Sequence, residues 1–277
     1  MSKKIRNFAV ATAAIFACGQ TLAQESNLDC VIEASEIAEV SSSVRGIMSV
    51  VEVERGDWVR KGQVVARLEA SVEEATVTLS QTRAKSMTNI RAREARVGLA
   101  QKQVERIRNL REAQSISSQA LDEAETDLIV ATIALEQAVE EREIAALDLE
   151  RAKRMLELRT IRSPVTGVVA RIYTSASESI EDRPIMQVAR IDPLYVEAIA
   201  PVERFGSIEG GMASLVYPEE PIGGEFTATV ALVERIIDAS SGTFGVRLVL
   251  PNPDGKLPAG LRCKVRFDDV ATTTPAP

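Results

Sequence analysis

Apolar and polar positions alternate from Val44 to Glu69 (VRGIMSVVEVERGDWVRKGQVVARLE), interrupted at Gly46, Gly56-Asp57 and Gly62, which predicts short strands joined by tight turns. At Ser71 the period changes. Ser71 and Glu74 have the spacing of a capping box, and a helical pattern runs on without proline to about Ala113, with Gly98 as its weak point. A second helical pattern is sharper: Leu121, Ala124, Leu128, Ala131, Leu135, Ala138, Arg142, Ala145, Leu149, Ala152 and Leu156 recur at alternating spacings of three and four. This is a heptad seam with Leu in one register and small Ala in the other, which predicts a coiled-coil partner at close approach. In the first arm the seam is less regular, and Ile90, Val97, Ala100, Val104 and Ile107 are its best stretch.

The stretch Gln114-Ser115-Ile116 predicts a short turn between the arms, with Ser117 as N-cap, Ile116 and Leu121 as a hydrophobic staple, and Asp122 and Glu123 suited to the positive helix start. The arms carry opposite charge. Residues 72–113 hold nine Lys/Arg against five Asp/Glu, and residues 118–157 hold four against eleven. Opposite signs favour pairing of the two arms with each other over like with like. At 1.5 Å per residue the expected antiparallel hairpin is about 60 Å long.

From Ile161 to Ala189 the pattern returns to β. Its opening, Ser163-Pro164-Val165-Thr166-Gly167-Val168-Val169, echoes Ser42-Ser43-Val44-Arg45-Gly46-Ile47-Met48 at an offset of 121 residues, so two related half-motifs flank the hairpin. Beyond Asp192 the pattern is all β, with strands expected at 194–200, 213–217, 226–233, 244–250 and 261–267 between Gly- and Pro-containing turns. Strands of that number and length suggest a small barrel.

Composition narrows the chemistry. The 277 residues contain no histidine, which removes Ser-His-Asp and Cys-His pairs, His-ligated metals and imidazole acid–base catalysis. A net charge of −7 argues against nucleic acid as the main partner. Aromatics are only 4 %, in keeping with long helices and thin β layers. Lys3, Lys4 and Arg6, the apolar run Phe8–Ala17 and Thr21-Leu22-Ala23 read as a cleaved export signal over residues 1–23, with a retained membrane anchor as the alternative; Cys18 belongs to the apolar run. Export to an oxidising compartment leaves two readings for Cys30 and Cys263, each on the apolar side of its strand: a disulfide between the first mature strand and the last, or two separate buried thiols.

In this order, split half-motif, coiled-coil hairpin and barrel, the chain resembles the HlyD-like periplasmic adaptor, or membrane fusion protein, family of RND-type tripartite efflux pumps. The resemblance is carried by VRGIMSVVEVERGDWVRKGQVVARLE, the returning IRSPVTGVVARI and the stretch from Ser241 through Leu261. It implies an elongated α+β fold: a lipoyl-like β-sandwich (37–70 and 158–190) split by an antiparallel α-helical coiled-coil hairpin (71–157), a small β-barrel (24–36 and 191–268) and a disordered tail (269–277). At the hairpin tip the family places an Arg, a Leu four residues on and a Ser seven further, where the adaptor meets its channel; here Arg106, Leu110 and Ser117 fit that spacing. Read without the resemblance, the three are a solvated Arg, a seam Leu and a plain N-cap.

The resemblance implies a non-enzymatic bridge between an inner-membrane transporter and an outer-membrane channel, working in the periplasm as a homo-oligomer, a ring of six for example, with no cofactor and no nucleic acid. The transporter is expected to be a proton-driven RND pump, with an ATP-driven (ABC-type) exporter as the alternative. A lipoyl or biotinyl carrier subunit and a purely structural coiled-coil protein are the other readings. Three departures from the family pattern stand out. The lysine that a lipoyl domain modifies would lie where the hairpin is inserted, Ser175–Arg183 lacks the glycine pair of the first half, and the flanks beyond Val44 and Phe267 leave no room for a membrane-proximal domain.

Overall fold

The computed structural model describes residues 27–112 and 117–267. The export signal, the turn Gln114-Ser115-Ile116 with its staple, and the expected disordered tail lie outside the described residues. In chain order the elements are β1 (Leu28–Val40), β2 (Gly46–Val51), β3 (Trp58–Val59), β4 (Val64–Leu68), α1 (Ser71–Lys85), α2 (Thr88–Glu112) and α3 (Ser118–Glu157). They continue with β5 (Thr160–Arg162), β6 (Gly167–Ile172), β7 (Ser179–Ile180), β8 (Met186–Pro201), a 3-10 turn (Val202–Arg204), β9 (Ala213–Pro218), β10 (Phe226–Val233), β11 (Thr243–Leu250) and β12 (Leu261–Phe267). The chain divides into two units.

The first unit takes the chain up to Ile32, Tyr195–Leu250 and the chain from Gly260. Its strands follow the order β1-β12-β9-β10-β11-β8, and β8 pairs back to β1, closing a six-stranded barrel. Alternation explains the core. On β12, Cys263, Val265 and Phe267 point inward, as do Val246, Leu248 and Leu250 on β11 and Val196, Ala198 and Ala200 on β8. Cys30 stands opposite Cys263 in the β1–β12 ladder, and the two are joined in a disulfide. Cross-linking positions so far apart in sequence restricts the unfolded chain, so Cys263→Ser is expected to lower stability by about 2–4 kcal/mol. A urea midpoint unchanged by the substitution would count against that contribution.

The second unit comprises Glu33–Leu194 with Pro251–Ala259. Sequence position assigned the 251–259 segment to the barrel, but Asn252 ties it here. Its side-chain amide donates to the carbonyls of Ile191 (3.0 Å) and Leu257 (2.9 Å), and its backbone N–H donates to Asp192 (2.9 Å).

The echo at an offset of 121 residues extends through the whole β part of this unit. Ser42 and Ser163 each donate a hydroxyl hydrogen bond of 2.6 Å to the carbonyl two residues on, Val44 and Val165. Strand β6 repeats β2, and β7 repeats β3. The halves exchange strands: β3 pairs with β6, and β7 with β2. The flanking backbone bonds repeat too. Gly56 N–H donates to Val169 O (2.9 Å) as Ser177 N–H donates to Met48 O (2.8 Å), and Val169 N–H donates to Asp57 O (2.9 Å) as Met48 N–H donates to Glu178 O (2.8 Å). Met48, Val59, Val65, Val169, Ile180 and Met186, drawn from both halves, fill one shared core.

Where the first half has Gly56 at φ +97°, the second has Ser177 at φ +70°. The second turn thus keeps the left-handed geometry without a glycine. That conformation costs a residue with a Cβ about 1–2 kcal/mol. After the extra unfolded-state freedom of glycine is subtracted, Ser177→Gly is expected to stabilise the protein by about 0.5–1 kcal/mol, read as a rise in thermal midpoint.

The helical hairpin occupies the interval between the halves, with α1 and α2 packed along α3. Two local expectations are corrected. Ser71 does not cap: Ala70 takes the N-cap position, Ser71 is the first helical residue, and its N–H donates to the Glu69 carboxylate at 3.1 Å. The first arm breaks at Ser86-Met87, whereas α2 runs through Gly98 without interruption. Seam phase accounts for this break. Glu73, Val77, Ser80 and Ala84 are the covered positions of α1, and the next is Ile90, six residues on where a heptad needs seven. Extended backbone at Ser86 (φ −69°, ψ 121°) rises more per residue than helix, making up the missing length opposite the unbroken α3.

Candidate functional site

Near its outer end the hairpin is held by Val104, Leu121 and Ala124, buried together, with Ile107 and Leu128 packed against them. Arg108 of α2 and Glu125 of α3 bridge the arms at 3.0 Å, an instance of the charge opposition expected between them. Because Val104 and Ile107 face inward, Arg106 and Leu110, one turn apart, share the outward face. Arg106 is exposed, its guanidinium donating to Gln103 at 3.4 Å, and Leu110 is 41 % exposed. Ser117 occupies the N-cap of α3 in extended backbone and is exposed, but its hydroxyl makes no capping bond. Arg106 and Leu110 are thus brought together on one helix face, while the segment joining them to Ser117 lies outside the described residues.

At its root the hairpin is latched by residues that sequence reasoning passed over. Arg159, just after α3, donates to Glu73 of α1 (2.5 Å) and to the carbonyl of Arg45 (3.0 Å). Both partners of this ion pair are largely covered, at 23 % and 17 % side-chain exposure. The hydrogen bond from Arg159, then the Glu73 backbone N–H, hold the Glu73 carboxyl below its ordinary value of 4.5. A depressed carboxylate contributes at neutral pH and loses its contribution as falling pH protonates it. The signal was an Arg immediately after the seam ends, with an acidic residue in the first turn of the opposite arm.

No group of three or more His, Cys, Asp or Glu among the described residues could hold a metal ion, and no helix among them is long and apolar enough to cross a membrane. What the second unit offers is two helical arms rooted in a duplicated β base, with an exposed end; the barrel belongs to the first unit. The chain is similar to proteins of the membrane fusion, or periplasmic adaptor, kind found in tripartite efflux pumps.

Among its relatives are the multidrug resistance protein MdtE of Escherichia coli K12 (23 % identical over 250 residues, 84 % of this chain and 61 % of that protein) and the multidrug efflux pump subunit AcrA of the same strain (22 % over 251 residues, 85 % and 60 %). The macrolide export protein MacA of Yersinia pestis is 26 % identical over 236 residues, 80 % of this chain and 62 % of that protein. The chain therefore spans about six tenths of the length of these curated relatives. The crystal structure of MacA from Actinobacillus actinomycetemcomitans has the same fold, with a TM-score of 0.73 at 18 % identity over 87 % of this chain and 77 % of that one. The membrane fusion protein Spr0693 from Streptococcus pneumoniae gives 0.54 at 14 % identity over 88 % and 99 %. No protein-family profile matches the chain.

Proposed function

We propose that this protein is a periplasmic adaptor that joins an inner-membrane transporter of the proton-driven RND type to an outer-membrane channel, acting as a homo-oligomeric ring and carrying out no covalent chemistry. The duplicated β base is read as the lipoyl-like sandwich (37–70 and 158–190) and the arms as its coiled-coil hairpin (71–157), and the barrel docks the transporter. Residues 1–23 direct export and are removed. Arg106, Leu110 and Ser117 contact the channel, a small surface made strong by repetition around the ring.

The observation that carries this reading is the helical hairpin itself. Its 40-residue α3 extends about 60 Å, far more than a local binding loop needs, and its far end presents exposed side chains. A photo-crosslinker at Leu110 and another on the outer face of the barrel, activated in native membranes and read by mass spectrometry, test it. Adducts of the first with an outer-membrane channel and of the second with an RND transporter are expected. An ATP-driven exporter in the second set would replace the transporter assignment, and soluble proteins alone in both would end the adaptor reading.

A further inference from the structure

The two halves of the β base agree in register and differ in charge. In the β3–β6 ladder Trp58 stands opposite Val168 and Val59 opposite Gly167; 121 residues on, the β7–β2 ladder sets Ser179 opposite Ile47 and Ile180 opposite Gly46. A reciprocal exchange in the same register relates the halves by a local two-fold axis, so the turns flanking β3 and β7 are equivalent and lie on opposite sides of it. Strand β3 ends the sheet that holds β6 and β8, and β7 ends the sheet of β5, β4 and β2. The equivalence reaches the turn residues themselves. Lys61 N–H donates to the Thr166 hydroxyl at 3.0 Å, and Asp182, the counterpart of Lys61, accepts from Arg45, the counterpart of Thr166, at 3.3 Å.

These equivalent turns carry opposite signs. Arg60-Lys61 in the first half corresponds to Glu181-Asp182 in the second, and all four side chains are exposed. Residues 54–62 hold three Lys/Arg against two Asp/Glu, and residues 175–183 hold one, Arg183, against three. On the basic side the Asp57 carboxylate is taken up within its own loop, accepting from Glu54 N–H at 2.8 Å, and Arg162 adds a further cation by donating to the Gly62 carbonyl at 3.0 Å. On the acidic side Arg45 offsets Asp182. Arg60, Lys61 and Glu181 form no ion pair among the described residues.

We infer that the two turns are the complementary faces of a head-to-tail contact, in which Arg60 and Lys61 of one copy of this chain meet Glu181 and Asp182 of the next. Charges at sheet ends ordinarily keep edge strands in water, and two ends of like sign would do so equally well. Opposite signs at equivalent places instead make each end the complement of the other. The two turns of one molecule lie on opposite sides of the axis, so the match is satisfied only between molecules. A foreign acidic partner would account for Arg60 and Lys61 alone, and a foreign basic one for Glu181 alone; a second copy accounts for both. Such a heterologous contact repeats from copy to copy, and it closes into a ring where the rotation between copies allows. The inference deepens the ring of the proposed function and rests on that self-association, but on neither the transporter nor the channel assignment.

The test is made in cells carrying the full-length protein with its membrane partners in place. Lys61→Cys is carried by a copy with one tag and Glu181→Cys by a copy with another, and a short thiol-specific cross-linker is added. Cross-links joining the two tags are expected, with either variant alone giving at least about fivefold less, because a head-to-tail contact does not set a residue against itself. Lys61→Cys linking to itself as readily as to Glu181→Cys overturns the inference. Charge is read separately, by co-purification of two differently tagged copies from mildly solubilised membranes. Arg60→Glu with Lys61→Glu, and Glu181→Lys with Asp182→Lys, are each expected to lower co-purification at least about fivefold at an unchanged thermal midpoint, and all four changes in one chain to restore it. A fourfold variant that recovers no better than either pair overturns the complementarity. Tags left unlinked while the Leu110 photo-crosslinker still reaches an outer-membrane channel overturn this contact and leave the adaptor reading standing; soluble proteins alone at Leu110 and on the barrel, with the tags unlinked, overturn both.

Discussion

Replacing Arg106 with Asp should reduce efflux to near the level of cells lacking the protein, while the purified variant keeps its thermal midpoint. The side chain is exposed and its bond to Gln103 lies on its own helix, so little of the fold depends on it. Exposed charge pairs individually contribute about 0–1 kcal/mol. In the proposed ring, reversing the sign would turn an attraction into a repulsion in every copy, which makes the expected loss of export on the order of tenfold or more. Lys85→Asp is the charge-matched control, since Lys85 is also exposed but sits at the end of α1, well below the tip. Wild-type drug tolerance with Arg106→Asp would remove the tip assignment, and equal loss with Lys85→Asp would show that net charge, not position, is being read.

The largest expected effect on stability comes from one glycine. A Cβ on Gly167 would lie 2.1 Å from Ala189 O and 2.7 Å from its carbonyl carbon, both main chain in the β6–β8 ladder. Those atoms cannot rotate aside, so Gly167→Ala must part the two strands, at a cost of about 3 kcal/mol or more. Gly46, its counterpart in the first half, differs. There the added Cβ meets the Arg159 guanidinium at 2.6 Å, the far end of a flexible side chain. Gly46→Ala is expected to cost about 1 kcal/mol, chiefly by pushing Arg159 off Glu73 and the Arg45 carbonyl. Equal urea midpoints for the two variants would show that the ladder yields more readily than its geometry implies.

The contrast between these glycines bears on how much could be read from residues alone. The seven-position echo around them was visible because Ser, Val and Gly repeat in identity. The rest of the duplication was hidden, since Trp58-Val59 corresponds to Ser179-Ile180 and Gly56 to Ser177, equivalences carried by burial, φ and backbone hydrogen bonds. The long seam of α3 was legible because its period persists over many turns. The interruption of the first arm was legible only as the six-residue step from Ala84 to Ile90, and Gly98, which drew attention by propensity, is simply accommodated in the helix. At the tip, sequence supplied the spacing of Arg106 and Leu110, but outward orientation follows from Val104 and Ile107 taking the inner face.

Exchange of β3 and β7 between the duplicated halves has a consequence for how the molecule is made. Neither half can complete its own sheet, and the intervening chain would be a slow, entropically costly loop to close if it stayed unstructured. Zippering of the two arms is local and fast, and it shortens that loop to the few residues at their base. The hairpin would thus act first as a splint, delivering the second half to the first before any strand can be traded, and folding of the β base should slow wherever the arms fail to close.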